Sequence, residues 1–165
     1  MKVKKLMHED VAACSVDAPI SEAARIMWEK DCGFVPVVDE GRRLAGIVTD
    51  RDIAMAGLMT GLPLGLVRVR EIMTDEVAAC DPDDEITDAH SVMREFQVRR
   101  LPVVDAEDHL LGVISLNDLV NEAFAGRSKA QQKRQRDTAR TLAEISRHRP
   151  REERAISEET EQAEA

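Results

Sequence analysis

Residues 101–105 read Leu-Pro-Val-Val-Asp, and residues 111–118 read Leu-Gly-Val-Ile-Ser-Leu-Asn-Asp. This pattern is typical of two short buried strands separated by a polar turn and followed by the start of a helix. The same order occurs earlier, with Val-Pro-Val-Val-Asp at residues 35–39 and Ala-Gly-Ile-Val-Thr-Asp-Arg-Asp at residues 45–52. The sequence therefore contains an internal repeat.

The register of this repeat is constant along the chain. Matching residues lie 66 positions apart, as Pro36 and Pro102 do. Since each copy presents an apolar face that the other can cover, two copies predict an internal pseudo-twofold axis. The other identical pairs include Met7 and Met73, Cys14 and Cys80, Ile20 and Ile86, Ala23 and Ala89, Met27 and Met93, Gly46 and Gly112, and Asp52 and Asp118.

The composition excludes several classes of protein. The chain has 165 residues, 43% of them hydrophobic and 2% aromatic, so we expect a packed core made mostly of Val, Ile, Leu, Ala and Met. No apolar run approaches the roughly 20 residues of a membrane span, and no signal peptide is recognisable, so we expect a soluble cytoplasmic protein without a membrane partner. A net charge of −9 argues against the basic surface of a nucleic-acid binder.

The cysteines argue against a disulfide scaffold, because there are three of them and they show no paired spacing. Cys14 and Cys80 occupy matching positions of the repeat. A metal or redox pair related by the pseudo-twofold axis is conceivable, but small buried apolar side chains are the favoured interpretation.

Each repeat is predicted to run strand, helix, strand, strand, helix. In repeat one the first strand falls on residues 11–14, and the acceptor and proline in Asp17-Ala18-Pro19 indicate the start of a helix that Gly33 ends. The later strands fall on residues 34–38 and 44–48. A second helix begins at Thr49 and leads into a connector that we expect to dock through its Leu and Met side chains.

The first helix of each repeat shows an apolar stripe at helical spacing, which predicts the side that faces the core. In repeat two His90 takes the place of Ala24, and we expect it to be partly exposed or hydrogen-bonded, with a titrating switch as the alternative. The predicted stripes are Ile20, Ala23, Ala24, Met27 and Trp28 in repeat one, and Ile86, Ala89, Met93 and Phe96 in repeat two.

The composition changes after Gly126. Residues 127–136 are basic and favour a helix. The predicted helix continues past them with a thin apolar stripe of Leu142 and Ile145, and it ends at Pro150. A solvated helix is favoured over contact with nucleic acid or a partner, and the Glu-rich residues 151–165 are expected to be disordered. The predicted units are residues 1–66 (repeat one with its connector), 67–124 (repeat two) and 125–165 (tail).

Over residues 3–123 the sequence resembles a pair of CBS domains, a Bateman module, because the Pro-Val-Val-Asp strand and the Gly-x-x-[Ser/Thr]-x-x-Asp step occur twice at one spacing. The likeness is to stand-alone bacterial CBS-pair proteins and to the regulatory insert of inosine monophosphate dehydrogenase. It implies an α/β (α+β) fold of two β-α-β-β-α repeats and a homodimer in which two modules form a flat disc. It also implies a regulatory adenosine ligand such as AMP, ADP, ATP or S-adenosylmethionine. We expect no cofactor and no metal.

The resemblance implies that the Ser/Thr-x-x-Asp carboxylate binds the ribose hydroxyls of the ligand. The alternative is that these residues only cap helices, since the pattern also fits a capping box. The preferred site contains Ser115, Asp118 and Arg100, with Arg99 beside it, because the resemblance implies that the residue two before the strand proline can reach phosphate, and a guanidinium suits phosphate. The resemblance adds a wall from the other repeat, residues 11–14 and 33–35, including Val11, Ala13, Cys14, Phe34 and Val35.

The second site would use Thr49, Asp52 and Arg51. Phe34 stands where repeat two has Arg100, so the second site loses a phosphate contact and is expected to be empty or to take a less charged ligand. Its wall would come from residues 77–80 and 98–101, including Val77, Ala79, Cys80, Val98 and Leu101.

The sequence leaves three candidate functions. The first is a sensor that binds an adenine nucleotide and acts on an unidentified partner through changes in repeat or dimer packing. The second is a ligand-free dimeric scaffold whose tail recruits that partner. An enzyme is the weakest, because the sequence has no HExxH motif, no glycine-rich phosphate loop and no Ser-His-Asp arrangement that the repeat would assemble.

Overall fold

A computed structural model of the chain describes residues 1–126 and 128–147. These residues form five helices, five strands and two short 3-10 turns, Val3–Lys5 and Val69–Glu71, one ahead of each repeat. The strands are β1 (Cys14–Ser15), β2 (Phe34–Val38), β3 (Leu44–Thr49), β4 (Arg100–Val104) and β5 (Leu110–Ser115). The helices are α1 (Ile20–Glu29), α2 (Asp50–Thr60), α3 (Ile86–Phe96), α4 (Leu116–Phe124) and α5 (Lys129–Ile145).

The two hairpins confirm the predicted repeat. β2 pairs antiparallel with β3, and β4 pairs antiparallel with β5 in the same register. Even the irregularity is repeated, since the register shifts after Val37 in one hairpin and after Val103 in the other. The first strand differs between repeats, because β1 runs parallel to β2 over two residues while Cys80 forms a single bridge to Val103. The strand predicted at residues 11–14 is therefore shorter and begins only at Cys14.

The segments that precede each repeat are exchanged between the repeats. His8 forms an antiparallel bridge to Val113 of β5, and Thr74 forms the equivalent bridge to Ile47 of β3. The bridge between Arg43 and His109 joins two residues that are each other's counterparts, so it lies on the pseudo-twofold axis. Because of the exchange, the N-terminal segment lies beside the strand that carries Ser115.

The core consists of two clusters, one for each repeat, and the exchanged 3-10 turns contribute to both. Val69 is fully buried in the cluster of repeat one, and Val3 is packed in the cluster of repeat two. Burial raises the pKa of Cys14 to about 11 and that of Cys80 to about 12, so both thiols are protonated near neutral pH. They act as small apolar side chains of the core.

The predicted helix stripes are wrong at their outer edges. Trp28 is 88% exposed and Phe96 is 48% exposed, while Ile26 is buried instead. Successive helical residues are about 100° apart, and burial of Ile26 turns the core side of α1 away from Trp28. Apolar spacing alone does not distinguish a core residue from an apolar residue at the edge of the stripe.

The connector docks less than predicted. α2 continues to Thr60 and ends at Gly61, whose φ of 62° is a left-handed conformation that glycine adopts without strain. Leu64 packs against the core of repeat one. The other apolar side chains of this segment are exposed, namely Leu58, Met59, Leu62 and Leu66.

Helix α5 is docked, which corrects the expectation of a solvated helix. It packs on α3 and α4, with Thr138 and Thr141 buried and Ile145 against the core, while Leu142 is 48% exposed. The contacts include hydrogen bonds of Thr141 with His90 and Arg94, which a search for apolar spacing does not find. Pro150 and residues 151–165, for which the sequence predicts a helix end and disorder, lie outside the described residues.

Candidate functional site

The Ser-x-x-Asp step of repeat two forms a complete capping box at the start of α4. The Ser115 backbone N–H and hydroxyl both donate to Asp118 Oδ2, at 2.8 and 2.6 Å, and the Asp118 N–H donates to Ser115 Oγ at 3.3 Å. Two donors therefore occupy Oδ2, and Oδ1 is left to accept other partners. The Asp118 side chain is 15% exposed, so this acceptor lies in a partly desolvated position at a helix N-terminus.

Arg100 lies directly beside this cap. It is the β4 residue paired with Ser115 of β5, and the neighbouring Arg99 carbonyl accepts from the Leu116 N–H at 2.8 Å. Arg100 is half-buried and Arg99 is exposed. Within residues 1–126 and 128–147 neither guanidinium forms an ion pair with a carboxylate. The Asp118 acceptor, the positive end of α4 and the backbone positions of Arg99 and Arg100 thus lie at one edge of the β4–β5 hairpin.

The corresponding step of repeat one has the same hydrogen bonds. The Thr49 N–H and hydroxyl donate to Asp52 Oδ2 at 2.8 and 2.7 Å. Phe34 is buried and pairs with Thr49, as Arg100 pairs with Ser115. Arg51 is exposed in the first turn of α2. The fixed cation of repeat two is therefore replaced here by an aromatic ring.

The predicted wall residues fall into two groups by burial. The side chains of Cys14, Phe34, Val35, Cys80 and Leu101 are buried, whereas Val11, Ala13, Val77, Ala79 and Val98 are partly exposed. The backbones of Phe34 and Val35 pair within their own repeat, with Thr49 and Val48. The side chain of Asp118 is hydrogen-bonded to His8 and Ser115. The closure of each pocket by the opposite repeat stays a prediction.

The structure adds one residue to the preferred site that the sequence-based interpretation missed. His8 Nε2 lies 2.9 Å from Asp118 Oδ1, and its side chain is 72% exposed. The carboxylate only accepts, so Nε2 carries the proton. The signal in the sequence was the offset, since His8 follows Met7 as Thr74 follows Met73, but only the exchange of the N-terminal segment brings His8 to Asp118.

Asp105, Glu107 and His109 form the group of potential metal ligands in the described part of the chain. These residues lie in the β4–β5 turn, where both carboxylate oxygens of Asp105 already have hydrogen-bond partners. Its Oδ1 accepts from the Glu107 and His109 backbone N–H groups at 3.0 and 2.8 Å, and its Oδ2 lies 3.1 Å from His109 Nδ1. This hydrogen-bonded turn accounts for the cluster without a metal.

Comparison with known proteins identifies the family. The family model "CBS domain" matches twice, at residues 3–58 and 69–124. The chain belongs to the CBS-domain family. The CBS domain-containing protein YhcV of Bacillus subtilis is 37% identical over 126 residues, which cover 76% of this chain and 88% of YhcV.

Two further CBS proteins bear out the predicted resemblance. Inosine-5′-monophosphate dehydrogenase of Methanocaldococcus jannaschii is 33% identical over 119 residues, which cover 72% of this chain and 23% of that enzyme. The CBS domain pair of protein MJ0100, in complex with 5′-methylthioadenosine and S-adenosyl-L-methionine, is 26% identical with a TM-score of 0.68. That likeness covers 78% of this chain and 98% of the pair, so the tandem CBS fold is confirmed.

The CBS pair also has a shallow depression of about 480 Å³ on the α1–α2 side of repeat one. Gly33, from the predicted wall at residues 33–35, lines it together with polar and apolar residues, namely Met27, Trp28, Asp31, Cys32 and Asp50. It includes neither cap residue of either repeat. No helix within residues 1–126 and 128–147 has the length and apolarity needed to cross a bilayer.

Proposed function

We propose that this CBS pair is a non-enzymatic regulatory module that binds an adenosine-containing ligand of the AMP, ADP or ATP class between its repeats. Binding changes the packing of the repeats or of a dimer, and a partner protein responds to that change. Such a response requires a ligand with different affinities for two conformations of the module. The preferred site is the one that contains Ser115, Asp118 and Arg100.

One observation carries this proposal, which is the position of Arg100 beside the half-buried Asp118 at the start of α4. The carboxylate suits ribose hydroxyls, while the guanidinium and the backbone N–H groups of the helix start suit phosphate. The MJ0100 pair, which has the same fold, binds two adenosine compounds. In the second site Phe34 supplies no charge, which favours a ligand without a phosphate chain there.

We further propose a homodimer formed through the α1–α2 side of repeat one. Monomeric proteins rarely expose large apolar patches, so an exposed apolar surface indicates an interface with another chain. A standard interface buries roughly 800 Å² per partner. Helix α5 already covers the equivalent α3–α4 side of repeat two, so that side is closed to a second copy in this arrangement. The exposed apolar side chains of α1 and α2 are Trp28, Met55, Leu58 and Met59, and Leu62 and Leu66 of the connector that follows are exposed as well.

The second candidate function is a ligand-free dimeric scaffold. The complete capping boxes at Thr49 and Ser115 favour it, because Asp52 and Asp118 already have hydrogen-bond partners without any ligand. In a scaffold these carboxylates stabilise helix starts and nothing more. Affinity for a nucleotide separates the two functions.

The test is calorimetric titration with AMP, ADP, ATP and S-adenosylmethionine. We expect Asp118→Ala to weaken binding by roughly tenfold or more, since hydrogen bonds to charged groups contribute about 1.5–3 kcal/mol. Asp52→Ala is the matched control, because it removes the same cap in the other repeat. Circular dichroism checks that both variants fold. Absence of binding by the folded wild-type protein to all four compounds would favour the scaffold.

A further inference from the structure

The two candidate sites differ in the hydrogen bonds that the cap carboxylate accepts, and His8 causes this difference. The residues of the repeated motifs do not show it. A carboxylate has about four acceptor positions, two on each oxygen. In both caps the backbone N–H and the hydroxyl of the capping residue occupy Oδ2. A ribose therefore has to use Oδ1, and in repeat two the His8 imidazole already donates to that atom at 2.9 Å.

The pseudo-twofold axis supplies an internal comparison. Thr74 bridges Ile47 through the backbone as His8 bridges Val113, so the two residues occupy equivalent positions beside the two caps. Thr74 makes no hydrogen bond to Asp52 in the described part of the chain. Asp52 Oδ1 thus keeps both acceptor positions, whereas Asp118 Oδ1 keeps one.

We propose that His8 is a specificity-determining residue of the Asp118 site. Its hydrogen bond to Oδ1 competes with a ribose whose two hydroxyl groups both donate to that atom. This inference rests on the proposed function. A ligand with 2′- and 3′-hydroxyls displaces the imidazole in order to donate both hydrogens to Oδ1. A 2′-deoxy ligand donates one hydrogen and leaves the His8 contact in place. His8 therefore lowers the ratio of the affinity of this site for a ribose ligand to its affinity for the 2′-deoxy ligand.

His8 is not needed to orient the carboxylate, because the capping box alone holds Asp118 through two hydrogen bonds to Oδ2. Loss of the imidazole therefore frees an acceptor without freeing the side chain. The His8 side chain is largely exposed, and exposed contacts of this kind change affinities only modestly. The expected effect is thus a change in selectivity at a site that still folds and binds.

The experiment compares AMP with 2′-deoxy-AMP by calorimetry in the full chain carrying Asp52→Ala, which leaves Asp118 as the only cap carboxylate. We expect His8→Ala to tighten AMP binding roughly two- to fivefold and to leave 2′-deoxy-AMP nearly unchanged. His109→Ala, in the β4–β5 turn, is the control for loss of an imidazole elsewhere. In the reciprocal chain carrying Asp118→Ala, the probe is adenosine, because Phe34 supplies no charge for a phosphate, and Thr74→His should weaken adenosine binding by a similar factor.

The outcomes separate this inference from the proposed function. If AMP binds and its preference over 2′-deoxy-AMP is the same with and without His8, the role of His8 is wrong while the nucleotide site stands. Weaker AMP binding in His8→Ala also contradicts the proposal, because it would make His8 a ligand contact. If neither nucleotide binds the chain that keeps Asp118, the inference about His8 fails; the proposed function fails with it only if the wild-type protein also binds none of AMP, ADP, ATP and S-adenosylmethionine.

Discussion

At the scale of single residues, His90 links α5 to the body of the protein. Its Nδ1 lies 2.9 Å from Thr141 Oγ1, and His90 is 2% exposed. Burial lowers the pKa of His90; the Asp137 carboxylate raises it, and the Arg94 guanidinium lowers it further. The imidazole is therefore neutral in the folded protein near neutral pH, and its Nδ1–H donates to Thr141 of α5.

This burial predicts a pH dependence of stability. The unfolded chain takes up a proton on His90 below about pH 6.5, while the folded chain resists it until lower pH, so acidification favours unfolding. We expect the free energy of unfolding in urea to fall between pH 7.5 and 5.5, by at most about 1.4 kcal/mol per pH unit for this one proton. In His90→Gln this part of the slope should disappear. Equal slopes in the two proteins would contradict the assignment.

At the scale of elements, α5 is held by a polar contact centred on Thr141. Its hydroxyl donates to the Asp137 carbonyl at 2.9 Å and accepts from His90 and from Arg94, whose Nη1 lies at 3.1 Å. Arg134 adds an ion pair with Glu122 of α4. All three hydrogen-bonding positions of the Thr141 hydroxyl are thus used, which makes this side chain the centre of the helix contact.

We predict that Thr141→Val destabilises the protein by about 1–3 kcal/mol, because it leaves the buried donor of His90 and the partly buried donor of Arg94 without this acceptor. Thr138→Val is the matched control. Thr138 is also buried, but its hydroxyl oxygen has no hydrogen-bond partner among the described residues, so a methyl group there should be neutral or stabilising. Chemical denaturation measures the free energies, and hydrogen exchange of α5 should rise in the Thr141 variant alone. Equal losses in the two variants would contradict this ranking.

The elements also mark what a sequence can predict. The hairpins and capping boxes follow from local patterns, and both appear in the structure as predicted. The docking of α5 was missed, because Thr138 and Thr141 carry no apolar signal. Trp28 was placed in the core, because periodicity does not decide the edge of a stripe. His8 reaches Asp118 through a segment exchange, and a pairing between residues 110 positions apart has no local signature.

At the scale of the whole molecule, the pseudo-twofold symmetry ends at the helical surfaces. The α3–α4 side of repeat two is covered by α5, whereas the α1–α2 side of repeat one presents exposed apolar side chains. The counterpart of the exposed Trp28 is Arg94, which donates to Thr141 of α5. One repeat thus carries its own covering helix, and the other has an apolar surface suited to a second copy of the chain.

This asymmetry predicts how the proposed dimer dissociates. Leu58→Glu places a charge among the apolar side chains of the α1–α2 side, where Leu58 is 76% exposed, and should weaken self-association roughly tenfold or more. Leu142→Glu is the control, because Leu142 is exposed on α5 and lies on the opposite repeat. Sedimentation equilibrium measures both constants. Dissociation caused by Leu142→Glu, with Leu58→Glu unaffected, would move the interface to α5 and refute the proposed role of repeat one.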